Sequence, residues 1–600
     1  MRAPLMRARF LPIVAAVSLG LGACDDLTTL TRALTQDEPK PERPKAAVAP
    51  HDPCITLLAT NDLHGTLEPR SHGPESNPVR EGGLPVLAAY VNAVRSTSKH
   101  GVLLLDAGDM YRGTFASDHF EGKPTIEAMN AIQYDAGVLG NHEFDFGSGK
   151  SGAQDILAVV KQRVGDAMFP ILAVNVFEHA SNRRIAWPNV KGSLAKRVGD
   201  VEVGIIGMST VSTPSTTFAR NVEPLDFLEQ QTLVQAESAI LRTKGAKLIV
   251  LVGHVGTECK SIEDPRDASS CDSKSELQQL LAALPKGTVD IAVAGHTHKD
   301  VATWIDGIPV IESSSYARKL GRIDVCIGAE GGVDVANTTI RKPVPLCLTT
   351  WGDGTCGDPP SADAKVQAAA YEGVTIKADE RVEQVLAPYF AEVRNLKSST
   401  VGIRLPAPLR RTGSSMPQPP VKKRRRLVPQ PPKMETVGQY VVKGFADLAG
   451  TKLAFANAGS IRNDLPAGDL SFGAIYDVCP FGNRVAILKL KKSELSEAMR
   501  ILTVSRKDPP VTYGFEIKAR GNDVVLTNKG KPLPEGVYEV ATSDFMALGG
   551  DGIAPALAKV APNDRRMLES VDRDALMTAL RARYPGPLPD RQVVPAKAAQ

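Results

Sequence analysis

Between residue 55 and about residue 345, short apolar runs recur at 55–59, 102–105, 201–206, 248–252 and 291–293. Each is too short for a helix and rich in Val, Ile and Leu, with helical patterns lying between them. That alternation predicts strands interleaved with helices, with polar motifs on the loops beyond the strand ends. Residues 308–326 read as closing strands of the same body. Residues 375–396 predict a helix with Val382, Val385, Leu386, Tyr389 and Val393 on one side. A second, turn-rich body resumes near Glu435 and ends near residue 580. Since 600 residues exceed what one core organises, the expected division is a domain at 54–370, a linker helix at 371–400, a Pro-rich insertion at 401–434, a domain at 435–583 and a tail at 584–600.

The N-terminal pattern is different. Arg2, Arg7 and Arg9 precede an apolar stretch at 10–23 that ends in Leu21-Gly22-Ala23-Cys24. It is short for a membrane span and suits a cleavable leader. The ending resembles a bacterial lipobox, which predicts a lipoprotein signal peptide at 1–23, lipidation of Cys24 and a tether at 24–53. A lipid membrane is then a partner, and the body belongs in the bacterial cell envelope, facing the periplasm or the outer surface. Cysteine spacing agrees: Cys259 with Cys271, and Cys347 with Cys356, suit local disulfides in an oxidising compartment. Charge adds little. The net value is +4, and much of the excess lies in Lys422-Lys423-Arg424-Arg425-Arg426. That run reads as a solvated insertion, so no specific nucleic-acid partner is expected.

The candidate chemistry sits in five segments, each straight after an apolar run. They are Asn61-Asp62-Leu63-His64, Asp106-Ala107-Gly108-Asp109, Gly140-Asn141-His142-Glu143-Phe144-Asp145, Gly253-His254 and Gly295-His296-Thr297-His298. Asp62 and His64 alternate along extended backbone, so both can face one site. Carboxylate, imidazole and amide oxygen are suitable ligands for divalent metals. Each segment alone is weak, but a sheet would gather all five at one edge.

Together the five segments resemble the calcineurin-like metallophosphoesterase family, and the whole chain is similar to its bacterial 5'-nucleotidase and UDP-sugar hydrolase branch. The resemblance implies an α/β protein: an N-terminal four-layer α/β/β/α metallophosphoesterase domain followed by a C-terminal α+β 5'-nucleotidase substrate-binding domain. It implies two divalent metal ions (Zn, Mn, Co, Fe, Mg or Ca). Asp62, His64, Asp109 and His298 would hold one; Asp109, bridging, with Asn141, His254 and His296 would hold the other. His142 and Asp145 would be the catalytic pair.

Three segments of the second body, around Asn457-Ala458-Gly459-Ser460-Ile461-Arg462, Pro480-Phe481-Gly482-Asn483 and Asp544-Phe545 to Gly552, carry polar or aromatic groups beside glycine turns. They resemble the substrate domain of the same branch. There Phe481 and Phe545 would clamp a nucleobase, Asn483 would lie near it, Asp551 would hold the ribose and Arg462 the phosphate. Arg410 and Arg411 are further phosphate candidates. Ser460 departs from the family's second glycine. The implied reaction is hydrolysis of nucleoside 5'-phosphates to nucleoside and phosphate by metal-activated water. The alternatives are a 2',3'-cyclic nucleotide phosphodiesterase, a UDP-sugar hydrolase, a broad phosphoesterase, or a nucleotide-binding lipoprotein without catalysis.

Overall fold

The apolar runs become strands covered on both faces. In the computed structural model, which describes residues 53–411 and 436–587 apart from 75, 151, 362 and 508, the strand Cys54–Thr60 is buried almost throughout. It pairs in parallel with Gly101–Asp106 and antiparallel with Lys319–Cys326. These lie in a seven-stranded sheet that continues through Ala136–Val138. A six-stranded sheet holds Val201–Ser209, Leu248–His254 and Ile291–Val293 as parallel neighbours.

Strand alternation sorts the side chains into layers. Ile55, Leu57, Leu103 and Leu105 of the first sheet meet Val203, Ile205, Val250 and Val252 of the second in one apolar layer. Leu58 and Leu104 point the other way, into a cluster that includes the helix Leu84–Thr97. Ile206, Ile249 and Leu251 do the same on the far side, against helices Gln231–Thr243 and Glu276–Ala283. The result is helix, sheet, sheet, helix. Parallel strands buried on both faces explain the near-continuous apolar runs.

The helix Glu380–Ser398 starts later than its periodicity suggests, because Ala370–Tyr371 and Val374–Thr375 pair as a hairpin first. Asp379 caps it through the Val382 amide. Val382, Leu386 and Val393 are buried along the expected face, and Tyr389 donates to Glu127 at 2.7 Å.

The second body is built on a five-stranded sheet with Val537–Ser543 at its centre, between Leu453–Ala456 and Arg484–Lys491, and with Arg565–Val571 at the edge beside Arg484–Lys491. Its start differs from expectation. Residues expected to open the Pro-rich insertion instead form the strand Thr400–Leu405, which pairs with Gly468–Ser471. The pairing partner lies over sixty residues downstream, so local composition could not reveal it. The helix Val437–Ala449 follows, held by a Thr436–Gln439 capping box.

Both expected disulfides are present, Cys259–Cys271 and Cys347–Cys356. A third, Cys54–Cys326, crosslinks directly opposed residues of the first sheet. No helix among the described residues is long and apolar enough to cross a membrane. Cys24, the tether and the basic run 422–426 lie outside the described residues.

Candidate active site

The carboxyl ends of both sheets' parallel strands open onto one edge. Asp62 and His64 follow Cys54–Thr60, Asp109 follows Gly101–Asp106 and Asn141 follows Ala136–Val138; His254 ends its own strand, and His296 and His298 follow Ile291–Val293. Asp62, His64, Asp109, His296 and His298 all have positive φ, between 47° and 78°. Non-glycine residues pay for that conformation, on the order of 1–3 kcal/mol each. Surrounding hydrogen bonds enforce it: the Asp62 amide donates to Gly108, and the His64 amide to Asp109.

Two groups of side chains converge here, Asp62 with His64 and His298, and Asp109 with His254 and His296. Their hydrogen bonding tests whether they suit a cation. His64 donates from Nδ1 to the Arg112 carbonyl at 2.8 Å, which leaves Nε2 with its lone pair. That Nε2 faces His298 Nε2 at 3.0 Å. Asp62 Oδ2 accepts from Asn61 Nδ2 and the His296 amide, while buried Oδ1 has no hydrogen bond and lies 3.2 Å from His298 Nε2. In the second group, His254 donates from Nδ1 to the Ala107 carbonyl at 2.7 Å. Its Nε2 lies 3.1 Å from both Asp109 Oδ2 and Asn141 Oδ1. Asn141 turns its amide NH2 away, donating to Thr216.

In the second group the His254 Nε2 lone pair thus stands beside two acceptor oxygens in a buried space, an arrangement that favours positive charge. Without an ion, a proton must supply it: burial disfavours the imidazolium of His254, yet Asp109 carries its pKa up to about 10. The donor set fits two divalent ions, and Asp109 Oδ2, 3.9 Å from His64 Nε2 as well, lies between the two groups.

Beside them, His142 Nδ1 hydrogen-bonds Asp145 Oδ2 at 2.6 Å, and Thr217 donates to Asp145 Oδ1 at 2.7 Å. Burial opposes charge on His142, but Asp145 and Asp109 lift its pKa to about 9. The His142 ring is part exposed, whereas the Asp145 carboxylate is buried. Glu143, given no role by the sequence, accepts from the amides of Asp109 and Gly140 through Oε2 and from Met110 through Oε1. One carboxylate thus fixes two ligand loops.

A cleft of about 570 Å³ runs from His64, His142 and His298 to Phe481, Phe545 and Asp551 of the second body. Phe481 and Phe545 are 47% and 44% exposed, so neither is a core residue. Gly550 must be glycine for Phe545 to lie as it does, since a Cβ there would stand 2.5 Å from the ring. Asp544 supports both aromatic loops, accepting from the Arg484 amide at 3.0 Å and the Phe545 amide at 2.7 Å. The Asn483 amide donates to Asp572 at 3.2 Å. Asp551, with φ 53°, accepts from Asn457 and lies 3.2 Å from an Arg506 nitrogen.

Arg462 is the exception. It is exposed, its guanidinium lies 5.8 Å from the Phe481 ring centroid, and it donates to Gly459. It does not line the cleft. Arg410 and Arg411 engage Asp464 at the same rim. The arginines that do line the cleft are Arg112 and Arg506. The sequence missed both, together with Tyr316, whose ring lies 5.1 Å from that of His64, and gave Asn457 no role although Asn457 opens one of the segments singled out there. Arg112 follows the Asp109 motif by three residues, and that proximity was the available signal.

Comparison with known proteins agrees with this geometry. Residues 55–300 match the calcineurin-like phosphoesterase family, and residues 421–559 match the 5'-nucleotidase C-terminal domain. Protein UshA of Escherichia coli is 25% identical over 531 residues, spanning 83% of this chain and 86% of UshA. The snake venom 5'-nucleotidase of Crotalus adamanteus is 32% identical over 306 residues, 46% of each chain. In fold, the Thermus thermophilus 5'-nucleotidase precursor superposes with TM-score 0.59 at 22% identity, covering 88% of this chain and 96% of that one. The sulfate thiohydrolase SoxB superposes at 0.53 and 16% identity, covering 89% and 96%, so fold alone does not select the reaction. The chain carries a calcineurin-like metallophosphoesterase domain followed by a 5'-nucleotidase C-terminal domain, matching the UshA-like bacterial 5'-nucleotidases.

Proposed function

We propose that the protein hydrolyses nucleoside 5'-phosphates, releasing nucleoside and inorganic phosphate. One observation carries the reading: a single cleft joins the metal-ligand groups and His142 to two half-exposed phenylalanines. Divalent ions held by Asp62, His64, His298, Asp109, Asn141, His254 and His296 would supply Lewis acidity and an activated water.

The chain's own groups do the rest. Asp145, fixed by Thr217, holds the His142 proton on Nδ1 and keeps the ring aimed at the cleft. His142 then offers charge and a proton to the departing ester oxygen. Phe481 and Phe545 present faces for base stacking, which gives affinity with little choice among bases. Asp551, with one oxygen accepting from Asn457 and the other 3.2 Å from Arg506, would accept from ribose hydroxyls. In this geometry Arg462 supports the clamp by lying against Phe481; contact with phosphate requires its side chain to turn inward. The disulfides fit an oxidising compartment, and export with lipid attachment at Cys24 belongs to the same reading.

The test is phosphate release by purified protein reconstituted with zinc, manganese, cobalt or magnesium. AMP is compared with a 2',3'-cyclic nucleotide, a UDP-sugar and an aryl phosphate. Preferential turnover of AMP supports the reading. A higher kcat/KM on the cyclic nucleotide or the UDP-sugar would replace it.

A further inference from the structure

Arg112 touches His64, the Asp145 carboxylate and the Phe481 loop without belonging to the motif of any of them. Its carbonyl accepts from His64 Nδ1 and so aims that ring. Its side chain leaves in three directions. Nη1 donates to Asp118 at 2.9 Å, and Asp118 in turn accepts from the Gly113 amide. Nε lies 3.4 Å from Asp145 Oδ2, the oxygen that holds His142. Nη2 reaches out of the first domain to the carbonyl of Phe481 at 3.4 Å.

Adhesion between the domains here has another source. Phe115 packs against Tyr476 and Phe472, with ring centroids 4.6 and 5.5 Å apart. Apolar contact of this kind is not directional. A guanidinium is: its five N–H groups radiate in one plane from a rigid fork. The Arg112 guanidinium also lies 5.5 Å from the Phe146 ring centroid, which limits its swing. Phe146 directly follows Asp145, so the arginine is held by the segment it helps to orient.

We propose that Arg112 is a positioning residue that sets where the nucleobase clamp stands relative to the His142–Asp145 pair, so that substrates spanning both are selected by length. The inference rests on the nucleotidase reading. A substrate held only at the phosphate end does not need the register, whereas a nucleoside monophosphate does. Lysine cannot replace the arginine, because a single ammonium cannot serve Asp118, Asp145 and the Phe481 carbonyl together.

The experiment uses the full chain with divalent metal, comparing wild type, Arg112→Ala and Arg112→Lys. Steady-state kinetics are measured on AMP and an aryl phosphate. Distances between spin labels at Lys286→Cys and Lys529→Cys, exposed positions on the two domains, are measured in parallel. In Arg112→Ala, kcat/KM on AMP is expected to fall about tenfold further than on the aryl phosphate, the scale of one charged hydrogen bond. The label distances should broaden. Arg112→Lys, which keeps the charge, should restore the aryl phosphate rate but not the AMP preference.

Equal losses on both substrates with unchanged label distances would overturn the proposal and leave Arg112 as a counter-ion of Asp145. If the alanine variant misfolds, the lysine variant decides on the same two readouts. Should wild type not hydrolyse AMP, the nucleotidase reading fails by itself. The label distances then judge Arg112: broadened supports the positioning role, unchanged refutes it.

Discussion

The metal-ligand loops and the proposed nucleobase clamp meet in one cleft, yet they are built on opposite principles. Asp62, Asp109, Asn141 and His254 are at most 1% exposed. Several ligands hold left-handed backbone, and their non-ligating atoms are tied to neighbouring carbonyls and amides. Phe481 on a turn and Phe545 on the short helix Asp544–Ala547 stand nearly half exposed, with Asp544 accepting from the amides of Phe545 and of Arg484, three residues after Phe481. The difference separates two demands. Charge chemistry needs donors fixed before the substrate arrives, whereas a clamp must admit and release a flat ring.

If that contrast is right, substitutions in the two regions should differ in kind. The largest effect belongs to Asp109→Asn. Ligand-supporting residues commonly cost 10–100-fold, so a shared ligand should cost more than about 100-fold in activity. Elemental analysis should show fewer than two ions per chain, and full metal content with normal turnover would remove Asp109 from the centre. Next is His142→Ala, expected to lower kcat by about 100-fold or more while both metals stay bound. Joint loss of metal and activity would instead make His142 structural.

The clamp should respond in KM. Phe481→Ala or Phe545→Ala removes stacking worth ~1–3 kcal/mol, raising KM for AMP roughly 5- to 150-fold with little change on an aryl phosphate. Similar small effects on both substrates would place the nucleoside elsewhere.

The smallest effect concerns pH. Burial pushes Asp572 up to about 7 and Asp544 up to about 6. Both carboxyls hold their protons longer in the folded chain than in the unfolded one. The stability they contribute is therefore complete below about pH 4 and declines as pH rises to about 7, by at most about 1.4 kcal/mol per pH unit for each group. Thermal melts from pH 4.5 to 7.5 should show a shallower decline in Asp572→Asn than in wild type. Parallel curves would mean that Asp572 does not titrate there.

Legibility from sequence followed the same divide. The ligands were readable because each sits within a few residues of a strand end, where local pattern and chemistry coincide. Asp62, Asp109, His254 and His296 needed no knowledge of packing. Arg112, Tyr316, Asn457 and Arg506 gain their meaning only from neighbours far along the chain: Asn457 meets Asp551 across ninety-four positions. The strand Thr400–Leu405 was hidden for the same reason, because its partner lies beyond the Pro-rich segment. Carry-over of motifs placed Phe481 and Phe545 in the cleft, but could not see that the Arg462 side chain lies along its rim.

The disulfide between Cys54 and Cys326 bears on the order of assembly. It spans 272 positions and joins the first strand of the domain to one of its last. Closing so long a loop removes roughly 5 kcal/mol of freedom from the unfolded chain in the chain-entropy picture. The first strand can complete its antiparallel pairing only after residue 326 has been synthesised and released from the ribosome. Until then, one edge of Cys54–Thr60 lacks the partner it finally has, and two thiols wait for an oxidant. Maturation of the metal site is thereby coupled to complete delivery of the domain, since Asp62 and His64 hang from that strand. A chain cut short before residue 326 would carry several ligand motifs but not the sheet neighbour on which the first pair rests.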